Sequence, residues 1–208
     1  MPKVVPEYKE KAKRRIIEAG ARVFTERGYY GTSMDNVADV MGVSKGAIYQ
    51  YFKSKQQLFF EVIEFILQAQ KDEVISIILS DSPMRIASEE FFETRISRAL
   101  ESRSFGLDLF FEAARNEALR SRMTEIYDRS YYELVSQVER MKKQGIIKSD
   151  ADVSVVWRGL VALRDGLISS IFFGADASVA KRTWEKVATI LLKEILTRNI
   201  QKNRQVSS

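Results

Sequence analysis

Cysteine and histidine are both missing from the 208 residues, and this excludes several kinds of chemistry at once. Without cysteine the chain can form no disulfide, no thiolate nucleophile and no Cys-based zinc or iron–sulfur site. Without histidine it lacks the commonest metal ligand and the commonest general base near neutral pH. The sequence therefore predicts no metal, no cofactor and no catalytic residues, and a protein that is not an enzyme.

Proline and long apolar runs are also scarce. Only Pro2, Pro6 and Pro83 interrupt the chain, so long helices can form. The most hydrophobic stretch, residues 160–175, contains Arg164 and Asp165 and falls short of the ~20 apolar residues that span a bilayer. The charged N-terminus is followed by no apolar segment and does not resemble a secretory signal. We expect an all-α, cytoplasmic protein that makes no membrane contact.

The positive charge is confined to the first quarter of the chain. Residues 1–55 hold 11 Lys and Arg against 6 Asp and Glu, whereas residues 56–208 hold 22 of each. Such segregation favours a segment that meets a polyanion, joined to a neutral body. A solvated basic surface is the alternative that charge alone leaves open.

Two short helices with a glycine turn between them are predicted within this basic segment. A first helix runs from residue 7 to Gly28, after which Thr32 or Ser33 caps a second helix. The apolar residues of the second helix recur at helical spacing: Met34, Val37, Ala38 and Met41. Gly42 then permits a tight turn, and Ser44 caps a third helix to about residue 51. This is the pattern of a helix-turn-helix, whose second helix enters the DNA major groove.

The third helix has an outward face suited to reading bases. At 100° per residue, Ile48 and Phe52 face the core, while Gly46, Ala47 and Gln50 lie on the opposite side. Small residues let the backbone approach base edges, and glutamine can pair with adenine. An ordinary capped surface helix is the alternative for this segment taken alone.

The residues on either side of these two short helices are of types that bind phosphate. Thr32 and Ser33 lie at a helix N-terminus, where free N–H groups attract anions. Lys53 and Lys55 flank the start of the next long helix, ready to reach the edge of the groove. These positions predict a module oriented on the DNA backbone.

The run from Arg15 to Leu58, RIIEAGARVFTERGYYGTSMDNVADVMGVSKGAIYQYFKSKQQL, resembles the DNA-binding domain of the TetR (tetracycline-repressor-like) family of bacterial and archaeal regulators. The resemblance covers about a fifth of the chain. It lies in a Phe-x-x-x-Gly-Tyr segment, a Thr-Ser cap, Gly-Val-Ser at the turn and Tyr-x-x-Phe-x-Ser-Lys at the exit. The positions that are often Thr and often His or Tyr in the family are Ala47 and Gln50 here, so the operator sequence does not carry over.

The resemblance assigns roles to individual residues of this sequence. The residues that would hold phosphates are Thr32, Ser33, Tyr49 and Lys55. Those that would face bases are Lys45, Gly46, Ala47 and Gln50. Val43, Ile48 and Phe52 would belong to the core.

Beyond the basic segment the sequence predicts a helical body. Helices are expected near 56–79, 85–102, 105–114, 116–144, 152–173 and 178–201, about nine in the whole chain. We therefore divide the chain into a three-helix DNA-binding domain, residues 1–55, and an effector-binding and dimerisation domain, residues 56–208. The TetR resemblance implies an effector cavity in that body and a homodimer formed by the last two helices.

Two stripes on these last helices agree with a dimer interface. On the last helix the stripe contains Trp184, Val187 and Leu191. The small residues of the preceding helix are Gly159, Ala162, Gly166 and Ser170, which would let a second helix approach closely. Packing within one chain explains both stripes equally well on the residues alone, and the resemblance favours the dimer.

A surplus of aromatic residues between 91 and 132 is interleaved with arginines. The candidate effector-binding residues are Phe91, Arg95, Phe105, Leu109, Phe110, Tyr127 and Tyr131. Mostly apolar pockets with a few polar groups are typical of ligand sites, and this mixture suits an apolar molecule with an anionic or polar head, such as a fatty acyl compound. Simple filling of the core is the alternative.

Two other classes of protein are alternatives for a helical chain of this composition. A helical enzyme could use Asp108, Glu112 or Glu133, but di-metal bundles need Glu-x-x-His pairs and phosphate-binding enzymes a Gly-rich loop, and neither is present. An architectural DNA-binding protein without an effector stays open. The sequence thus predicts a regulator that binds a palindromic operator as a homodimer, acts as a repressor, and is released by a small, largely apolar effector.

Overall fold

The computed structural model describes residues 6–80 and 82–197, without the side chains of 6, 7, 103, 104, 130, 131 and 134–136. Within these ranges the chain forms nine α-helices and one 3-10 helix. The helices are α1 (Pro6–Arg27), α2 (Met34–Met41), α3 (Lys45–Tyr49), α4 (Lys55–Ile78), a 3-10 helix (Pro83–Ala87), α5 (Glu89–Glu101), α6 (Arg103–Arg115), α7 (Glu117–Lys143), α8 (Val153–Phe172) and α9 (Ala177–Ile195). The predicted all-α fold is confirmed. None of the described helices is long and apolar enough to cross a membrane.

Contacts divide the chain into two compact units. The first contains the chain up to Ala69 together with Glu101–Ile126, and the second contains Gln70–Leu100 together with the chain from Tyr127 onward. Helices α4 and α7 contribute residues to both. The units thus cut across the boundary predicted at residue 55, because α6 and the start of α7 pack with the N-terminal helices.

The core of the first unit joins α1–α3 to later helices. Phe24, Ile48, Phe52 and Phe59 are completely buried there, and the rings of Phe24 and Phe59 meet edge to face with centroids 5.1 Å apart. Gly20 allows the close approach of α1 and α4, since a Cβ at that position would lie 3.1 Å from Val62 Cγ2. The three N-terminal helices therefore rest on α4.

The core of the second unit is centred on Trp184 of α9. Its ring stacks on Phe92 with centroids 5.1 Å apart and 9° between planes, and its Nε1 donates to the carbonyl of Ile86 at 2.9 Å. The helix α9 ends at Ile195, where the sequence predicted residue 201. It stops because Leu196 turns extended (ψ 144°) and forms an isolated bridge with Ile147.

Candidate DNA-binding surface

The turn between α2 and α3 has the predicted capping residues. Ser33 accepts a hydrogen bond from Asn36 N at 3.2 Å, and Asn36 Oδ1 accepts one from Ser33 N at 2.8 Å, which completes a capping box. Gly42 ends α2 with φ 66°, a left-handed conformation that glycine adopts without strain. Ser44 Oγ then accepts from Ala47 N at 3.3 Å and starts α3. Local rules therefore fix how α3 follows α2.

Burial on one side of α3 determines which side is presented outward. Ile48 and Phe52 are completely buried, as predicted, and they anchor the helix on the core. Gly46, Tyr49 and Gln50 are exposed and Ala47 is half-buried. A Cβ at Gly46 would have only Ser44 Oγ within 4 Å, at 3.8 Å, so this side of α3 is open to another molecule. One assignment is wrong: Val43 is 40% exposed and does not belong to the core, because it lies in the turn itself.

Lysines and a hydroxyl frame this outward face. Lys45 donates from Nζ to Asp35 Oδ2 at 2.7 Å, and this hydrogen bond raises the pKa of Lys45. Both side chains are about half exposed, so a phosphate can replace Asp35 as the acceptor at little cost. Ser33 and Lys53 are also exposed. Ser33, Lys45 and Lys53, which the sequence predicts to contact DNA, are therefore accessible from solvent beside the outward face of α3.

Two of the predicted phosphate contacts are turned inward. Thr32 is 4% exposed and its hydroxyl donates to the carbonyl of Gly28 at 2.7 Å. Lys55 donates to the carbonyl of Tyr29 at 2.9 Å, with its ammonium 4.3 Å from the centre of the Tyr29 ring. Burial lowers the pKa of Lys55, while the charges of Glu112 and Asp108 act in the opposite sense. Both side chains hold the loop that precedes α2 in this conformation.

Two carboxylates of α6 hold the same loop, and sequence reasoning did not assign them this role. Asp108 accepts the backbone N–H of Tyr29 at 2.7 Å, and Glu112 accepts the Tyr30 hydroxyl at 2.8 Å. Hydrogen bonding to Glu112 is the main reason that the pKa of Tyr30 is raised. No local signal reveals these pairs, since the partners are about 80 residues apart. Asp108 and Glu112, which a helical enzyme could use for catalysis, therefore stabilise the loop before α2.

The predicted effector-binding residues fall in both units. Phe91, Arg95 and Tyr127 belong to the second unit, where Arg95 is buried and lies over the Phe91 ring at 4.5 Å. The residues in the first unit are Phe105, Leu109 and Phe110. Phe105 fills its core against Phe59 at 5.5 Å, whereas Phe110 is 65% exposed. The side chain of Tyr131 lies outside the described part of the structure.

A cavity in the second unit lies away from the predicted effector residues. It has a volume of about 30 Å³, and every residue that lines it is apolar. Among the lining residues are Met141, Ile147, Trp157 and Leu160. None of the predicted effector residues lines it.

The predicted dimer residues divide into inward and outward sets. Trp184 is 2% exposed and packs in the core of its own chain, and Val187 and Leu191 are half-buried. The residues on α8 are more accessible: Ala162 and Gly166 are exposed, and Gly159 and Ser170 are half-buried. A Cβ at Gly166 would meet no atom within 4 Å. The small-residue stripe is thus open, whereas the tryptophan is not.

Comparisons with known proteins agree with the geometry of the first unit. A family model described as "Bacterial regulatory proteins, tetR family" matches residues 16–62, which contain α2, the turn and α3. Several curated relatives are named as helix-turn-helix transcriptional regulators. The chain is 24% identical to the uncharacterised regulator YfiR of Bacillus subtilis over 94% of its length and 97% of that protein.

Two further relatives carry functional names. The chain is 25% identical to the repressor Rv1474c of Mycobacterium tuberculosis, over 85% of its length and 90% of that protein. It is 33% identical to the activator FasR of Mycolicibacterium smegmatis, over 50% of its length and 47% of that protein.

Solved structures show the same fold along most of the chain. A TetR-family regulator from Mesorhizobium loti superposes with a TM-score of 0.68 at 21% identity, over 91% of this chain and 98% of the other. The fatty acid degradation regulator FadR of Bacillus halodurans superposes with a TM-score of 0.60 at 18% identity, over 87% and 94%. The capped helix-turn-helix thus lies within the residues that match the tetR family model, and the chain resembles named transcriptional regulators along most of its length.

Proposed function

We propose that the protein is a repressor that binds a palindromic operator as a homodimer and is released by a small, largely apolar effector. The observation that carries the DNA-binding part is the outward face of α3. Ile48 is completely buried beneath it, so Gly46, Tyr49 and Gln50 are held outward. Acting on chromosomal DNA, such a regulator works in the cytoplasm.

Base reading is assigned to Gln50 and backbone binding to Lys53. An operator selected from a random duplex library should be a palindrome with half-sites about 34–36 Å apart or a multiple of that spacing. Gln50→Ala should lose discrimination of about 1–3 kcal/mol at one base pair. Lys53→Ala should weaken binding to every duplex and reduce the salt slope by about 1.

Matched controls are available on the exposed end of α7 and just beyond it. Lys143→Ala and Gln144→Ala remove the same side chains from exposed positions in the second unit and should leave DNA affinity unchanged. Fluorescence anisotropy at several salt concentrations measures all four variants. Equal affinity of the wild-type protein for operator and scrambled duplex at physiological salt would contradict the proposal.

The homodimer is assigned to the outer faces of α8 and α9. Apolar side chains are exposed there, with Val155 at 64%, Phe173 at 87% and Ile190 at 66%, beside the open stripe at Ala162 and Gly166. A palindrome requires two helix-turn-helix units related by a two-fold axis, so the contact between protomers is isologous. Light scattering should give about twice the 23.9 kDa chain mass.

Gly166→Arg tests this contact directly. The chain itself leaves space at Gly166, so an arginine there should leave the fold of one chain intact and split the dimer. Circular dichroism checks the fold and light scattering the mass. A wild-type monomer at micromolar concentration, or an unchanged dimer in the variant, would contradict the proposed interface.

Different observations support repression and an apolar effector. The relative Rv1474c is named a repressor, but FasR is named an activator, and activation is the second candidate. The apolar effector is supported by the ring of Phe91 against Arg95, and B. halodurans FadR, which shares the fold, regulates fatty acid degradation. Coupling would run along α4, which contributes residues to both units. A coupling free energy of about 1–3 kcal/mol lowers operator affinity 5–150-fold.

Acyl compounds, aromatic drugs and polar metabolites should therefore be titrated against the operator-bound protein. Release by the apolar compounds alone is the expected result. If only polar metabolites release the DNA, the apolar effector is wrong, and if no compound does, an architectural role is favoured. A reporter gene behind the selected operator distinguishes repression from activation by the sign of its response to deletion of the regulator.

A further inference from the structure

The second unit buries an arginine whose guanidinium is only partly bonded. Arg95 is 6% exposed, and its Nη1 donates to Glu73 Oε2 at 3.0 Å. Its Nη2 is buried and finds no acceptor among the described residues. Arginine stays protonated in proteins, so this is a charged donor that neither solvent nor any described residue satisfies. Folded proteins rarely retain such a group without a use for it.

The Glu73 carboxylate that Arg95 contacts is shared with another arginine. Arg98 Nη1 donates to the same oxygen of Glu73 at 2.8 Å, so Oε2 receives two guanidinium donors. Arg164 lies close enough to act on the charge of Arg95, and it is itself bonded to Asp165 at 2.8 Å. Arg98 and Arg164 thus both add positive charge near Arg95, which favours a bound anion there.

The surroundings of the guanidinium limit the shape of that anion. The Arg95 Cζ lies 4.5 Å from the centre of the Phe91 ring, and that ring lies beside Trp184 with centroids 6.2 Å apart. An arginine stacked on a ring keeps its N–H groups in the guanidinium plane, where they match the two oxygens of a planar acceptor. The aromatic neighbours suit an apolar body next to that acceptor.

We propose that Arg95 anchors a ligand site in the second unit, and that the ligand is a small carboxylate with an apolar body. Its carboxylate accepts the hydrogen bond from Nη2 that no described residue accepts, and its body packs beside Phe91. The proposal rests on the proposed function, because it gives the charge and the anchoring residue of the effector proposed there.

The test measures binding to the full-length protein without DNA. Octanoate, dodecanoate and 3-phenylpropanoate are each compared with their primary amides by isothermal titration calorimetry at pH 7.5. At least one acid should bind tenfold or more tightly than its amide, which is about 1.4 kcal/mol. The amide keeps size and apolar surface and loses only the charge.

Arg95→Gln should reduce the affinity for that acid to the affinity for its amide. The matched control is Arg98→Gln, which removes the other donor to Glu73 from a half-exposed position and should change acid affinity less than threefold. Arg95→Lys keeps the charge without the planar fork and should give an intermediate affinity. If Arg95→Gln does not fold, the acid-to-amide ratio of the wild type and of Arg95→Lys decides.

Three results would overturn the site: no acid binds, acid and amide bind equally, or Arg95→Gln keeps the preference. Inorganic phosphate is included as a competitor, and its binding in place of every carboxylate would also overturn it. An acid that binds through Arg95 but leaves the operator complex intact supports the site and contradicts the proposed effector. The two proposals therefore fail separately.

Discussion

Trp184 offers a direct test of the core of the second unit, because sequence and structure give it different surroundings. The stripe on the last helix suggested a dimer contact, whereas the structure buries the ring to 2% exposure within its own chain. Its Nε1 donates to the carbonyl of Ile86, and its face stacks on Phe92. Replacement by phenylalanine keeps one ring for stacking and removes the N–H and two buried carbons.

The expected loss of stability follows from those two deletions. Leaving the buried carbonyl of Ile86 without its donor costs about 1–3 kcal/mol. The lost carbons remove about 0.8 kcal/mol of burial per methylene equivalent, with a further cost for the cavity. We therefore expect Trp184→Phe to lower the free energy of unfolding by about 3 kcal/mol. In a chain of this size, 1 kcal/mol shifts the Tm by about 2–4 °C, so the Tm should fall by about 6–12 °C.

Two measurements distinguish a place in the core of one chain from a place in the dimer interface. They are thermal unfolding, followed by circular dichroism at two protein concentrations, and sedimentation of the folded protein. A core residue lowers the Tm equally at both concentrations and leaves self-association within threefold of wild type. Ile190→Ala is the control on the same helix, since Ile190 is 66% exposed and contributes little to the fold of one chain. Our reasoning is refuted if Trp184→Phe keeps the wild-type Tm and weakens self-association tenfold.

Three shorter predictions concern the turn, the loop and the arginine cluster. Gly42→Ala should cost about 1–2 kcal/mol in urea unfolding because φ is 66°, although its Cβ would meet no atom within 4 Å; an unchanged midpoint would contradict this. Thr32→Val should cost about 1 kcal/mol by losing the bond to Gly28 and should leave DNA affinity unchanged, whereas Ser33→Ala should lower both stability and affinity. Burial alone would raise the pKa of Glu73, but hydrogen bonds from two guanidinium groups lower it. Its stabilising effect is therefore present above its unfolded pKa, about 4.3, and is lost as the pH falls through the folded value. Glu73→Gln should flatten the acid side of the stability curve, and a curve parallel to wild type would contradict this.

The helix-turn-helix was predictable because its determinants are local. Ser33 with Asn36, Gly42, and Ser44 with Ala47 act within three or four residues of one another. Their side chains and backbone angles decide where each helix begins or ends, whatever the rest of the chain does. The orientation of α3 followed in the same way from the spacing of Ile48 and Phe52.

The direction of Thr32 and Lys55 was not predictable, because it depends on partners elsewhere. A threonine beside a helix N-terminus can face a phosphate or a carbonyl of the preceding loop, and the sequence does not distinguish these. Lys55 bonds to Tyr29, 26 residues away, and the loop is held by Asp108 and Glu112 from α6. Pairs so far apart in sequence require the tertiary structure.

The aromatic surplus shows a related limit. Hydrophobic spacing places Phe105 and Phe110 on one helix but does not identify what each of them touches. In the structure Phe105 packs on Phe59 in the first unit, while Phe91 packs near Trp184 in the second. A cluster that is contiguous in sequence is thus divided between two cores.

This division predicts that residues 1–55 do not fold on their own. The core beneath α1–α3 includes Leu58, Phe59 and Val62 of α4, with Phe105 and Leu119 from further along the chain, and each is at least 93% buried. Burial of each such side chain contributes about 1.5–3 kcal/mol, whereas a 55-residue domain has a total stability of roughly 3–8 kcal/mol. Removing these partners also exposes Phe24, so the loss exceeds what the fragment can sustain. Circular dichroism should show little helix and no cooperative thermal transition for the fragment, compared with the full chain at equal concentration. A cooperative transition and operator binding by residues 1–55 alone would show that the boundary at residue 55 is one of folding as well as of function.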